Sequence, residues 1–279
     1  MSKRRDIEAQ LRSLIEIKEI MNAMKNLSLM ELRRLTRFRD AQRRVVAGIE
    51  AAAVDFLRFH PGLLPGDRES RNAYLLIGSE RGFCGDFNES LLRALETHTA
   101  SAPNATVIAI GGKLAAALAG DARVVGSLSG ASVVEEVDAV LIRLMESLAA
   151  LSRADGAAAP LRLTVLHHDV AEEGVKISVL RPFQEAALQS VCFAHPPLLY
   201  LPAETFVTGL AEQYLFAALH ELLYSSLMAE NERRMQHMDA AVRRLERTSA
   251  DLVRRRNVLR QEEITEEIEV IMLSVEALK

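Results

Sequence analysis

Three stretches of this chain carry residue types that could do chemistry. The first is a Gly-rich turn, Gly78-Ser79-Glu80-Arg81-Gly82-Phe83-Cys84-Gly85-Asp86-Phe87-Asn88, lying between an apolar run and a helical pattern. A turn from strand to helix is where a phosphate loop or a nucleophile elbow sits. The second is His167-His168-Asp169, at the end of another apolar run. With Cys84 as thiol, a histidine as base and Asp169 as orienter, a thiol hydrolase can be drawn. The third is the arginine series Arg243-Arg244, Arg247 and Arg254-Arg255-Arg256, a cationic face on a long helical pattern. Each has a plainer reading. The turn lacks both Gly-x-Gly-x-x-Gly and Gly-x-x-x-x-Gly-Lys-Ser/Thr, and Gly111-Gly112-Lys113 is too short for a Walker loop. A histidine pair at a strand end is usually hydrogen-bonded filler, and as a metal site it lacks two further ligands at suitable spacing. No cofactor or metal is therefore expected. An arginine face often does no more than keep a helix soluble.

The elements that position these residues follow from periodicity. Apolar residues recur at Ile7, Leu11, Leu14, Ile17, Met21 and Met24, then at Leu35, Phe38, Val45, Ile49, Ala52 and Phe56. That predicts one helix over about residues 4–58, roughly 80 Å long at 1.5 Å per residue. His60-Pro61-Gly62 and Pro65-Gly66-Asp67 stop it. From Pro202 a second helical pattern runs to the end of the chain, with Met235, Met238, Val242, Leu245, Leu252 and Leu259 spaced mostly by three, four or seven. So narrow an apolar seam requires a partner helix, and the nearest one is the other end of the chain. Register slips between Leu259 and Ile264, and the stripe resumes at Ile264, Ile268, Ile271, Val275 and Leu278. A final stretch beyond the intrachain partner is expected, needing cover from another protein.

Between the arms, strands are expected at 73–77, 106–110, 122–126, 161–167 and 176–180. Helices are expected at 88–99, with Asp86 or Asn88 as cap, at 112–118 and at 132–152. Strands alternating with helices imply a mostly parallel, Rossmann-like sheet. The expected organisation is an N-terminal coiled-coil helix over 1–60, an α/β foot over 70–200 and a C-terminal coiled-coil helix over 203–279. The two long helices should pair antiparallel.

Composition narrows the functional classes. The 279 residues are 49% apolar and 5% aromatic, with no tryptophan. Cys84 and Cys192 form no disulfide framework, which fits a reducing compartment. The N-terminus lacks an apolar signal core and no stretch is long and apolar enough to span a bilayer, Glu212 and Glu221 interrupting the most apolar helical region. Charge is partitioned: +6 over residues 1–44, −10 over 45–230, +5 over 231–260 and −5 over 261–279. Basic arms around an acidic middle call for an acidic partner. Acidic protein suits them better than nucleic acid, which the middle would repel and for which no stacking aromatics interleave.

The residues also resemble a known family. Ile20-Met21-Asn22-Ala23-Met24 is similar to an Ile-Thr-Lys-Ala-Met stretch in the γ subunits of F-type ATP synthases. Ser79–Asn88 resembles their Ser-Asp-Arg-Gly-Leu-Cys-Gly-Gly-Leu-Asn. Glu230, Arg234-Met235 and Met238, then Asn257, Arg260-Gln261 and Ile264-Thr265, follow their C-terminal motifs in order and spacing. Asp86 stands where the family usually has a second Gly, and Ala241-Val242-Arg243-Arg244-Leu245 replaces Ala-Thr-x-Asn-Ala. These departures suggest a divergent branch such as the sodium-translocating type.

The resemblance implies a non-catalytic rotor shaft. An antiparallel coiled coil would stand inside a hexameric head of α and β subunits, its foot beside the ε subunit and the ion-carrying c ring. The complex would sit on the cytoplasmic face of a bacterial inner membrane. Met24, Arg234, Arg260, Gln261 and Thr265 would contact β subunits, and Ile264, Ile268, Ile271 and Val275 would form a bearing tip. Arg81, Gly82, Cys84, Gly85 and Asn88 would shape the foot's docking turn rather than bind a nucleotide. The rival readings are the thiol hydrolase, which Cys84→Ala would inactivate, and a helical scaffold that dimerises through its arms.

Overall fold

The structure is a computed structural model that describes residues 3–63, 71–100, 105–154, 161–171, 174–183 and 195–276. Cys192, Leu278 and the side chain of Val275 lie outside the described residues. Two helices dominate, α1 (Lys3–Phe59) and α5 (Ala203–Glu276). Between them run β1 (Arg71–Ile77), α2 (Phe87–Thr99), β2 (Thr106–Ile110), α3 (Gly112–Ala117), β3 (Val124–Leu128), α4 (Val137–Ala154), β4 (Leu161–His168) and β5 (Val175–Leu180). Short 3-10 turns at Pro61–Leu63 and Val134–Glu136 complete the order. The chain divides into two compact units, one of residues 1–28 with 235–279 and one of residues 29–234.

In the larger unit the five strands form one sheet in the order β3-β2-β1-β4-β5. β1 pairs parallel with β2 and β4, β2 pairs parallel with β3, and only β5 is antiparallel, against β4. Strands buried on both faces read as continuous apolar runs, which is why Tyr74-Leu75-Leu76-Ile77 shows no polar alternation. Ala73, Leu75 and Ile77 point to one face, where they pack with Ile108, Val165, α4 and stretches of α1 and α5 through Leu35, Leu219 and Leu223. Tyr74 and Leu76 point to the other, against Phe87, Leu91 and Leu95 of α2 and Leu114 of α3. A third cluster joins Ala53, Phe56 and Leu57 of α1 to Phe206 and Leu210 of α5.

The elements arrive in the expected order, and the differences are local. β3 starts two residues later than its sequence suggests. Residues 121–124 form a turn closed by Val124 N–H to Asp121 O, and Arg123 clamps the Asp121 carboxylate. On α1 the buried positions are Val46 and Ala53 rather than Val45 and Ala52, and Phe38 is half exposed. The step from Leu35 to Val46 is eleven residues, closer to the true period of a straight helix than a seven-residue repeat. Gly111 has a φ of 113°, and a Cβ there would meet the backbone oxygens of Gly78 and Ser79 at 2.7 Å. The strand-to-helix passage into α3 therefore needs glycine.

In the smaller unit the two helical segments run antiparallel. Arg4 pairs with Glu263 at 2.9 Å, Lys18 with Glu246 at 2.8 Å and Lys25 with Asp239 at 3.0 Å, so partner numbers fall as the first helix advances. The seam is thin, with Leu11, Ser28, Met238 and Val242 as its buried residues among those described. Ile17, expected in the seam, is 42% exposed. Lys18 takes its place beside Glu246, because the helix phase at that level turns residue 18 inward. From Ile264 to Ser274 every residue is exposed.

Candidate functional site

The residues singled out by sequence separate into three groups. Met24, Arg260, Gln261 and Thr265 belong to the unit of paired arms. Met24 is half-buried at the edge of the seam, while Arg260, Gln261 and Thr265 are exposed, the Thr265 hydroxyl donating to the Gln261 carbonyl at 2.9 Å. Ile264, Ile268 and Ile271 follow on the same helix, 45%, 52% and 61% exposed, with Met272 and Leu273 beside them. A run of large apolar side chains left in water is unusual for a folded surface and marks a contact site. The adjoining face is basic. Arg243 and Arg254 pair with Asp239 and Asp251, whereas Arg244, Arg247 and Arg255 have no acidic partner among the described residues.

The third group is the turn after β1, which carries Arg81, Gly82, Cys84, Gly85 and Asn88 and which Arg234 reaches at Gly82 and Cys84. The turn reverses through Phe83 and Gly85, whose φ values are 66° and 64°. Gly85 adopts that region without strain, and Phe83 is held there with its ring 56% exposed. Asp86 has a φ of −85°, so its departure from glycine leaves the backbone unstrained. It stands at the N-cap position of α2 yet makes no side-chain cap bond, pairing with Arg93 instead. Asn88 does not cap the helix either. Its Oδ1 accepts from the Ser79 amide at 3.0 Å and its Nδ2 donates to Ser79 Oγ at 2.9 Å, closing the turn from within.

Glu80 accounts for the missing phosphate loop. One of its carboxylate oxygens accepts the amides of Gly112 at 2.7 Å and Gly130 at 2.6 Å, beyond the ends of β2 and β3. In open parallel sheets such amides face a ligand phosphate. In this chain they face an internal carboxylate, beside a groove of about 600 Å³ lined also by Ser132, Glu136 and Arg143.

Arg234 is buried, 6% exposed. Its guanidinium forms a short ion pair with Glu230, donates to Asn231 Oδ1 at 3.0 Å and to Gly82 O at 3.3 Å, and reaches Cys84 Sγ at 3.5 Å. Glu230 in turn accepts the amides of Glu80 and Arg81, both at 3.2 Å. Burial pushes the Glu230 carboxyl above its ordinary value, more than Arg234 and the two amides pull it down. Local spacing assigns neither Glu230 nor Glu80 a task. The readable signal was an i,i+4 acid–base pair directly after the apolar stretch Leu227-Met228-Ala229.

The thiol-hydrolase geometry is not assembled. Burial is the main cause that raises the Cys84 thiol to about 11, with Arg234 opposing it, so the nucleophilic thiolate is disfavoured. Among the described hydrogen bonds Cys84 donates to the Arg81 and Gly82 carbonyls and joins neither histidine. His168 is set between the carbonyls of Phe87 at 2.9 Å and Gly174 at 3.0 Å, and His167 faces Ser178 and the His168 carbonyl. Burial is the leading cause that lowers both histidines. Burial raises the Asp169 carboxyl, but the Ala171 amide, Lys176, His167 and Arg43 outweigh it and hold the group below its usual range. These groups tie β4, β5 and α2 together. Among the described residues no cluster of three or more metal-ligating side chains occurs, and no helix is long and apolar enough to cross a membrane.

Comparison with known proteins places the chain. A family model described as ATP synthase matches residues 3–278. The ATP synthase gamma chain of Lachnoclostridium phytofermentans is 25% identical over the whole of both chains. That of Polynucleobacter asymbioticus is 23% identical over 98% of each. Among solved structures, a chain of the Euglena gracilis mitochondrial ATP synthase OSCP/F1/c-ring assembly in rotational state 3 superposes with a TM-score of 0.65 at 16% identity, covering 99% of this chain and 94% of that one. The thin antiparallel pair, the bare apolar helix end and the Rossmann-like sheet thus have one common setting: the chain belongs to the ATP synthase family, among its γ-chain homologues.

Proposed function

We infer that this chain is the central-stalk rotor of a rotary ATP synthase, coupling ion flow through a membrane ring to conformational change at catalytic β subunits. It performs no bond chemistry of its own. The observation that carries the reading is the exposed apolar set Ile264, Ile268, Val270, Ile271, Met272 and Leu273, interleaved with glutamates, on a helix whose preceding turns are paired. Such a surface is stable in water only when a partner covers it. The partners are the α and β subunits around the arms, and the ε subunit and c ring beside the foot. Met24, Arg260, Gln261 and Thr265 supply the β contacts, with the arginine face opposite acidic β segments. Arg234, expected among the β contacts, is buried in the chain alone and holds the turn after β1. The tip Ile264, Ile268, Ile271 and Val275 turns in an apolar sleeve. The regions divide as a shaft over 1–60 and 203–279 and a foot over 70–200, on the cytoplasmic face of a bacterial inner membrane, bound there only through the complex.

Co-expression with a hexameric ATPase head tests this reading. The chain should co-purify with the head, and deleting residues 264–279 should lower ATP-driven pumping while leaving the melting of the α/β unit unchanged. Equal pumping by the truncated chain would refute it.

A further inference from the structure

The faces of α1 and α5 that cover the sheet do so through aliphatic side chains such as Leu35, Leu219, Leu223 and Leu227. Apolar burial is non-directional: it resists separation of the layers but only weakly resists a helix turning or sliding on its bed. A rotor must resist that twist. Directional bonds can, because a hydrogen bond weakens steeply as its angle departs from linear.

Such bonds are arranged in series on α5. Ser226, Glu230 and Arg234 are spaced by four and so share one helix face. Their partners run in chain order along the segment leaving β1. Ser226 Oγ donates to Ile77 O at 3.1 Å, Glu230 accepts the amides of Glu80 and Arg81, and Arg234 donates to Gly82 O. Successive turns of the helix thus grip the six residues of backbone from Ile77 to Gly82, in a setting where Ser226, Glu230 and Arg234 are 2%, 3% and 6% exposed. On α1 a second carboxylate does the same. Glu31, 9% exposed, accepts the amide of Val134 at 2.6 Å, at the first residue of the 3-10 turn leading into α4. Glu31 lies two residues inside one sequence boundary of the α/β unit and Glu230 four residues inside the other.

We propose that Glu230, with Arg234, and Glu31 form a two-point torque lock: positioning residues that fix both long helices against twist relative to the sheet, so that torque applied to the α/β layer is delivered to the shaft. The lock rests on the rotor reading above and adds to it the residues through which the foot drives the arms. Glu230→Gln opens one point. A glutamine oxygen still accepts one amide, but its NH2 group confronts the second amide donor to donor. Glu31→Ala removes the other.

The test uses the complete complex in inside-out membrane vesicles. ATP hydrolysis is measured beside the ATP-driven membrane potential, which a potential-sensitive dye reads alike for protons or sodium. In the Glu230→Gln/Glu31→Ala double variant, hydrolysis should persist, while the potential generated per ATP falls, because the hydrogen bonds that hold both helices against twist are lost. Each single variant should fall less. Amide exchange in the same complexes should accelerate at Glu80 and Arg81 for Glu230→Gln and at Val134 for Glu31→Ala. An unchanged potential per ATP would overturn the lock. So would a proportional loss of both activities, the signature of poor incorporation, or unchanged exchange at these amides. Failure of the unaltered chain to support any potential would instead strike at the rotor reading itself.

Discussion

The α/β unit and the paired arms are built from similar residues and reach opposite degrees of self-sufficiency. In the first, Leu75, Leu76, Leu91, Ile108, Leu141 and Leu144 are all less than 2–3% exposed, and even the polar members of the turn after β1 find internal partners. In the second, the seam buries little, its ion pairs stand in water, and one helix ends on a run of bare isoleucines. Helices on both sides of the sheet give each apolar face a cover from the same chain. Two helices alone give each other one stripe and leave the rest of their surface open. The same chain therefore holds one region with a closed core and another that leaves much of its apolar surface open.

The largest effect that could break this contrast is a core truncation. Leu75→Ala should destabilise the α/β unit by about 2–5 kcal/mol, because its site is closed on all sides. Leu11→Ala, in the exposed seam, should shift the thermal melt of the isolated chain much less. Equal shifts would mean that the arms carry a core of their own. Arg234→Ala comes close behind in size. It leaves Glu230 buried and unpaired, a loss of roughly 3–5 kcal/mol measurable by denaturant unfolding.

Acidification sharpens the contrast on a smaller scale. His167, His168 and His220 all fall below 6.5 in the folded chain, burial being the first cause for each. The unfolded chain therefore takes up protons first, so the stability they contribute is full above pH 6.5 and declines as pH falls below it. Glu230 is shifted upward and works in the opposite sense, so the histidine variants isolate the effect. His168→Gln should flatten the melting temperature between pH 7.5 and 5.5, and an unaltered slope would show that His168 is not the group responsible. Smallest of all, Lys18→Ala should leave the melt of the isolated chain unchanged, since exposed ion pairs contribute little. Cys84→Ala should leave coupled ATP hydrolysis intact, whereas its abolition would revive a thiol chemistry.

How much of this was legible in the sequence follows the same division. Periodicity exposed both long helices, the strand–helix alternation and the loss of register after Leu259, because apolar spacing reports directly on which face is covered. It misjudged Ile17, Val45 and Ala52, since a seven-residue template cannot follow a helix whose partner changes along its length. The turn after β1 was recognised by its residue order, but not its mechanics. That Glu80 would fill the place of a ligand phosphate, and that Glu230 would hold the turn's amides, depends on residues separated by 32 to 150 positions. Local spacing carries no record of such pairings. Glu31 is the extreme case. Among the many charged residues of α1 nothing distinguishes it until the fold brings Val134 to it.

If this chain is the rotor, the arms should gain protection from surrounding subunits that the α/β unit does not need. Amide exchange on the isolated chain and on the assembled complex tests this directly, with β1 and β2 as internal reference. Exchange should be fast over 3–28 and 235–276 in the isolated chain, the same residues should be strongly protected in the complex, and the strands should be equally protected in both. Arms that are as protected as the strands in the isolated chain would contradict it.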